Sequence, residues 1–190
     1  VLSCGLNTYG QLGNNKDETQ WVFEYSEISK CTNIIIDSKE KNTGFICTDG
    51  LYVCGANDTG LLGILGDVDI HNLEYILTPQ KISNNVETAV FGEKVTLVFT
   101  KDKYVKFFYN YEMTHTYDNI PADTDKNIGY IIKKGFCTFF RDEEHNLDKE
   151  VFYLLTYDKK LISIDVSVNV DYANTNPILI DNSISNNMVV

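Results

Sequence analysis

The stretch Cys4-Gly5-Leu6-Asn7-Thr8-Tyr9-Gly10-Gln11-Leu12-Gly13 returns 50 residues later as Cys54-Gly55-Ala56-Asn57-Asp58-Thr59-Gly60-Leu61-Leu62-Gly63, with six of ten positions identical. The shared residues are the ones a single backbone path would demand. Gly5, Gly10 and Gly13, like Gly55, Gly60 and Gly63, suit positive φ or a close backbone approach. Asn7 and Asn57 can close a turn by bonding nearby backbone groups, and Leu12 and Leu62 are expected to anchor each loop into the core. Self-similarity at this period is the mark of a repeat architecture.

Just before the second copy, residues 44–47 and 51–54 are short apolar runs joined by Asp49-Gly50, which predicts a hairpin with a type I′ turn. Residues 33–37 and 21–25 read as two further strands, completing one blade-sized unit of four strands in about 50 residues. The strand order then recurs at 87–91, 96–100 and 104–107, and again at 130–132, 136–140, 152–156 and 161–164. Thr48, Thr100 and Thr156 are spaced by 52 and 56 residues. The later copies lose the glycine loop: Phe107-Phe108-Tyr109-Asn110 stands where Cys-Gly-x-Asn would be. The fold expected is all-β, a partial β-propeller of three to four four-stranded antiparallel blades over residues 1–165, followed by a final strand and polar tail over 166–190.

Residues 4–13 resemble the signature repeat of the regulator of chromosome condensation family, W-G-x-N-x-x-G-Q-L-G, with cysteine in the usual tryptophan position and Leu61 where the second copy should have glutamine. The resemblance is strong over residues 1–63 and weak to about 164. It implies four-stranded blades, usually seven around an axis, and this chain holds too few to close such a ring. The chain opens on Val1 and its methionines are Met113 and Met188, so the expectation is a piece of a larger ring, with an open propeller closed by a partner as the alternative.

Sixteen basic against 27 acidic residues give a net charge of −11, the wrong sign for neutralising phosphates, so direct nucleic-acid binding is not expected. Neither is contact with an anionic membrane; no apolar run approaches the ~18 residues of a membrane span, and an intracellular protein, cytoplasmic or nuclear, is expected. Five cysteines (Cys4, Cys31, Cys47, Cys54, Cys137) form no CxxC pair and are read as buried reduced thiols. His71, His115 and His145 share no metal-ligand spacing, and no cofactor is expected. Gly5 to Gly10 and Gly55 to Gly60 fit Gly-x4-Gly, but Gln11 and Leu61 occupy the place of the phosphate-binding lysine, so structural turns are favoured. Asn57-Asp58-Thr59 fits a glycosylation acceptor but lies inside the repeat loop, and the 19 asparagines read as compositional bias.

Residues 141–150 interrupt a blade with ten mostly charged positions, where a simple hairpin takes two to five. Arg141, Asp142, Glu143, Glu144, His145 and Asp148 are therefore candidate partner contacts on a rim loop, set against a plain solvated loop; residues 66–73 form a second such segment. No nucleophile elbow or marked carboxylate pair points to catalysis. The leading expectation is a non-catalytic protein-binding module that uses rim loops. The resemblance implies a second, nucleotide exchange on a Ran-like small GTPase, in which the factor favours the nucleotide-free state. A targeting domain attached to an enzyme elsewhere in a longer chain is a third.

Overall fold

The computed structural model describes residues 1–57, 61–64, 74–93, 95–109, 126–142, 147–169 and 178–179. Among these every regular element is a strand, and no helix is long and apolar enough to cross a membrane. β1 (Leu2–Gly5) and β2 (Gln20–Tyr25) form a two-stranded sheet. Three four-stranded antiparallel meanders follow. The first is β3 (Cys31–Ile36), β4 (Asn42–Cys47), β5 (Gly50–Ala56) and β6 (Tyr75–Ser83). The second is β7 (Val86–Phe91), β8 (Val95–Thr100), β9 (Tyr104–Tyr109) and β10 (Lys126–Asn127). The third is β11 (Ile132–Asp142), β12 (Leu147–Thr156), β13 (Leu161–Asn169) and β14 (Ile178–Leu179). This is the expected propeller architecture, as half a blade and three complete ones.

The sheets stack face to face, and the core is three apolar layers between them. Phe45, Cys47, Cys54 and Ile28 fill the first joint; Leu51, Val53, Leu62, Phe91 and Val98 the second; Leu97, Phe99, Phe152, Leu154 and Ile164 the third. Each blade thus buries both faces only where a neighbour stands, as stacked sheets about 10 Å apart must.

Three expectations are corrected. Residues 21–25 do not belong to the blade of β3–β5; they pair with β1, and the fourth strand of that blade is β6, beyond the second glycine loop. Glycine loops therefore sit between the third and fourth strands of a blade. The β4–β5 hairpin places Thr48 and Asp49, not Asp49-Gly50, at its corner, because Cys47 pairs with Gly50; neither Thr48 nor Asp49 has positive φ, so the turn is not type I′. Gly50 instead carries φ +149, where an added Cβ would lie 2.3 Å from the Ser83 carbonyl oxygen. Finally, not all five thiols are buried: Cys31 and Cys137 are intermediate, and Cys4 is exposed on the two-stranded sheet, outside which no strand is stacked among the described residues.

One turn design recurs. The Thr100 carbonyl accepts from Lys103 N–H (3.2 Å), Lys103 takes φ +72, and Thr100 Oγ1 accepts from Tyr104 N–H (3.0 Å). Thr156, Lys159 (φ +64) and Lys160 repeat it, and Asp37, Glu40 (φ +58) and Lys41 build it with a carboxylate in place of the hydroxyl. The side chain of the first residue satisfies an amide the ladder leaves unpaired.

Gly10 and Gly129 share nearly the same φ (+76 and +75), but a Cβ on Gly10 would lie 2.9 Å from Leu77 Cα, and one on Gly129 would meet nothing within 4 Å. Gly129→Ala is expected to cost about 1–2 kcal/mol from backbone strain alone. Gly10→Ala should cost roughly 2–5 kcal/mol, since overpacking adds to that strain. Urea unfolding of both variants checks the difference, and equal losses would mean the loop does not press on β6.

Candidate partner-binding surfaces

The first glycine loop is a structural knot. Asn7 is fully buried: its Nδ2 donates to Asn14 Oδ1 (3.0 Å) and the Lys16 carbonyl (2.7 Å), and its Oδ1 accepts from Leu12 N–H (2.8 Å). Gly10 N–H bonds the Asn7 carbonyl and Gly13 N–H the Gly10 carbonyl, so two tight turns follow in succession. Gln11 Nε2 donates to the Glu40 carbonyl (3.3 Å), Asn15 N–H to the Leu77 carbonyl (3.2 Å), and the buried Cys54 thiol to the Gln11 carbonyl (3.5 Å). These three bonds reach the next sheet, while Ser3 Oγ and Glu27 N–H donate to the Leu12 and Gly13 carbonyls from the half-blade side. In the second copy Leu61 and Leu62 are buried, Asn57 N–H bonds the Glu74 carbonyl, and a Cβ on Gly63 would collide with the Phe108 ring. Leu62 enters the core as expected, whereas Leu12 is only half-buried. Gly60, Asp58, Thr59 and residues 66–73 lie outside the described residues, as do His71, His115 and His145. No cluster of potential metal ligands occurs among the described residues.

The segment 141–150 is not a ten-residue loop. β11 and β12 pair without interruption from Lys134↔Leu155 to Asp142↔Leu147, so six of its residues continue the ladder and the connection is residues 143–146. By the shared turn, Thr156 matches Thr100 and Val151 matches Val95; Leu147 to Glu150 therefore carries β12 four residues past the end of β8. At 3.2–3.4 Å per residue the sheet projects about 13 Å beyond its neighbour. β13 accompanies it through Leu147↔Asn169. Alternating charges and aromatics such as Phe139-Phe140-Arg141-Asp142 hide a strand when scanned for apolar runs, but period-2 alternation of Phe136, Thr138 and Phe140 was the available signal.

Glu150 marks the root of the projection. It is fully buried, and its Oε2 accepts from Val95 N–H at 3.1 Å, capping the β7–β8 turn of the neighbouring blade, where a Cβ on Gly92 would lie 2.2 Å from the same oxygen. Arg141 is exposed near the tip; Asp142 and Asp148 lie on the strands flanking the connection, and Glu143, Glu144 and His145 fall in its undescribed part. The structure thus brings Arg141, Asp142 and Asp148 to one end of the β11–β12 ladder, with Arg141 paired to Asp148 in register.

Two aromatic surfaces escaped the sequence reading. On the outer face of the third complete blade, Phe136 is 60% exposed and stacks on Tyr153 (5.2 Å between centroids), with Phe140 four residue pairs further out. At the opposite end of the stack, Trp21 (91% exposed), Phe23 and Tyr25 line one face of β2, with Leu2 and Leu6 exposed nearby. Contiguous exposed apolar surface of this kind marks interaction sites.

Electrostatics on the turns is local. Tyr52 Oη donates to Asp49 Oδ2 (2.8 Å), which holds the Asp49 carboxyl below its ordinary range and the Tyr52 phenol above its own, while Lys81 lies 3.4 Å from the same carboxylate. Asp158 is lowered chiefly by Thr156 Oγ1 and then by Lys160. Lys16 lowers Glu24 in the same way.

No known family's profile matches the chain, and no curated protein sequence does. Solved structures do. The structure of Kap60 bound to yeast RCC1 (Prp20) aligns over 86% of this chain and 39% of its own, at TM-score 0.55 and 16% identity. Prp20p from Saccharomyces cerevisiae, described with its binding to Gsp1p and histones, aligns over 86% and 40% (TM-score 0.54, 15% identity). Human WBSCR16 aligns over 86% and 56% (TM-score 0.50, 14% identity). The chain has the RCC1-like propeller fold and spans about two-fifths to just over half of the length of these structures.

Glu150→Ala leaves the buried Val95 N–H without this acceptor and is expected to lose about 1–3 kcal/mol, with Glu150→Gln losing less because its carbonyl can still accept. Chemical denaturation of both variants checks this. The Asp49–Tyr52 pair gives a pH sign in two directions. A lowered Asp49 contributes above its ordinary 3.8 and is lost as pH falls; a raised Tyr52 contributes below its ordinary 10.0 and is lost as pH rises, so the bond operates between the two. Tyr52→Phe should move the Asp49 carboxyl titration upward in carbon-detected NMR, and an unchanged titration would remove Tyr52 as the cause.

Proposed function

We propose that this RCC1-like set of blades is a non-catalytic protein-binding scaffold whose contact surface is the projecting end of β11–β13, with Arg141, Asp142 and Asp148 framing its tip and Phe136 and Phe140 along its side. The observation that carries the reading is the projection itself: the sheet outgrows its neighbour by four residues, is rooted by the buried Glu150, and exposes aromatic rings at its side. A rigid arm that displays apolar surface loses little conformational entropy when a partner covers it. The chain's net charge of −11 favours a basic partner. Prp20p binds Gsp1p and histones, and its likeness to this chain supports a protein ligand of that general kind. An intracellular setting, cytoplasmic or nuclear, goes with the reading.

Exchange on a Ran-like GTPase is the second reading, favoured by Prp20p's binding of Gsp1p. The two separate in one experiment. Residues 141–148 are replaced by Asn-Gly, joining Phe140 to Lys149, a pair already in register. Wild type and variant are compared for release of fluorescent GDP from Ran and a panel of small GTPases, and for capture of partners by affinity purification. The scaffold reading expects no acceleration of GDP release and loss of the captured partner with the variant. Acceleration that disappears with the shortened hairpin would establish exchange instead. Equal capture by a folded variant would remove the tip from the contact surface.

A further inference from the structure

Cys31 and Cys47 are direct partners across the β3–β4 ladder, one at the start of β3 and the other at the end of β4. Residues directly opposite in an antiparallel pair have Cα atoms about 4.5–5.5 Å apart, inside the 4.4–6.8 Å window of a disulfide. Both belong to the apolar cluster at the first joint, Cys47 in its buried core and Cys31 packed against it and half-exposed. In the reduced protein the Cys31 thiol donates to the Asn33 carbonyl (2.9 Å), and a bulge between Cys31 and Asn33 inserts Thr32 without displacing the cysteine from its place opposite Cys47. Cys54, the other buried thiol of the cluster, pairs with Thr43, four residues along β4 from Cys47 and so about 13 Å away, out of reach.

We propose that Cys31 and Cys47 form a redox-responsive thiol pair that closes to a cross-strand disulfide on exchange with a small disulfide of the glutathione class. The accessible Cys31 thiolate attacks one sulfur of the small disulfide, expelling one thiolate and forming a mixed disulfide. Cys47, deprotonated, then attacks Cys31 Sγ, forming the intramolecular S–S bond and expelling the second thiol. The two protein thiols lose two electrons and two protons, and the small disulfide takes both as two thiols. Burial, with Cys31 and Asp49 adding to it, pushes the Cys47 thiol up to about 11, so the accessible Cys31 and not Cys47 opens the exchange.

The position gives closure a mechanical consequence. The linker from β2 ends at Cys31, and next to the pair the Val1 nitrogen donates to the Ile28 carbonyl (3.1 Å), with Ile28 and Val1 in the same cluster. A covalent tie there pins the start of β3 to the end of β4 at the point where the linker from the half-blade enters the first complete blade.

The test incubates the whole chain with oxidised glutathione and maps its cysteines by mass spectrometry without reduction. The expected product is a linked pair of peptides holding Cys31 and Cys47, short of two hydrogens, with exposed Cys4 glutathionylated as the control for reagent. Cys47→Ser should stop at a stable glutathione adduct on Cys31. The oxidised wild type should melt at a higher temperature, and dithiothreitol should reverse both changes. Wild type in which Cys31 keeps its glutathione, or in which both thiols remain free to alkylate while Cys4 reacts, overturns the pair. A melting temperature unaltered by a mapped disulfide overturns its pinning of β3 to β4.

Discussion

The loop between β1 and β2 must lie against the backbone of β6 with no side chain between them, and the rest of the first joint is arranged around that contact. Gly10 and Gly13 leave no Cβ where Leu77, Pro79 and Cys54 stand. Close approach of this kind strands the loop's own polar groups away from water, where each unpaired one would cost 1–3 kcal/mol or so. Asn7 resolves the conflict, using both ends of its amide to take up the Leu12 amide, the Lys16 carbonyl and Asn14. Gln11 and Cys54 then carry the bonding across to the next blade. Glycine supplies the space and asparagine the hydrogen bonds, so neither is replaceable without the other.

This explains which parts of the fold were legible in sequence. Where backbone geometry dictates residue type, as in Gly10, Gly13 and Asn7, the signal is a short string that recurs, and reading it gives the repeat and the blade. The inner strands of the complete blades were legible because their buried faces demand apolar residues such as Leu97, Phe99, Phe152 and Leu154, whereas β6 and β10 were not. Blade membership was not: four strands in order look like one unit, but the loop joins third strand to fourth, so β2 belongs with β1 and β6 closes the blade that β3 opens. The extension of β11 and β12 was also hidden. Past Glu150 no strand among the described residues is stacked on the pair, and charged residues continue the ladder there.

The candidate site shows the same limit from the other side. Glu150 reads in sequence as one more charge in an acidic run, yet it is fully buried against Val95 N–H. Its partner lies 55 residues away on the preceding blade, and a single sequence holds no local trace of such a pairing. The exposed aromatics present the converse case. Trp21, Phe23 and Tyr25 alternate like a buried strand face, and only the absence of a stacked sheet among the described residues makes them surface.

Loss of the glycine motif in later repeats therefore does not mean loss of the blade. The joint between the second and third complete blades keeps the requirement for polar satisfaction at a close contact but meets it differently: Gly135 brings β11 against Val90, and Glu150 takes up the amide at the β7–β8 turn. An apolar layer that includes Phe99, Phe152 and Ile164 supplies the cohesion. A carboxylate at that position does something an asparagine loop does not, because it sits on a strand whose chain continues outward. The residue that closes one blade against its neighbour is thus also the root of the arm that projects beyond it, and the joint and the proposed contact surface are parts of one element.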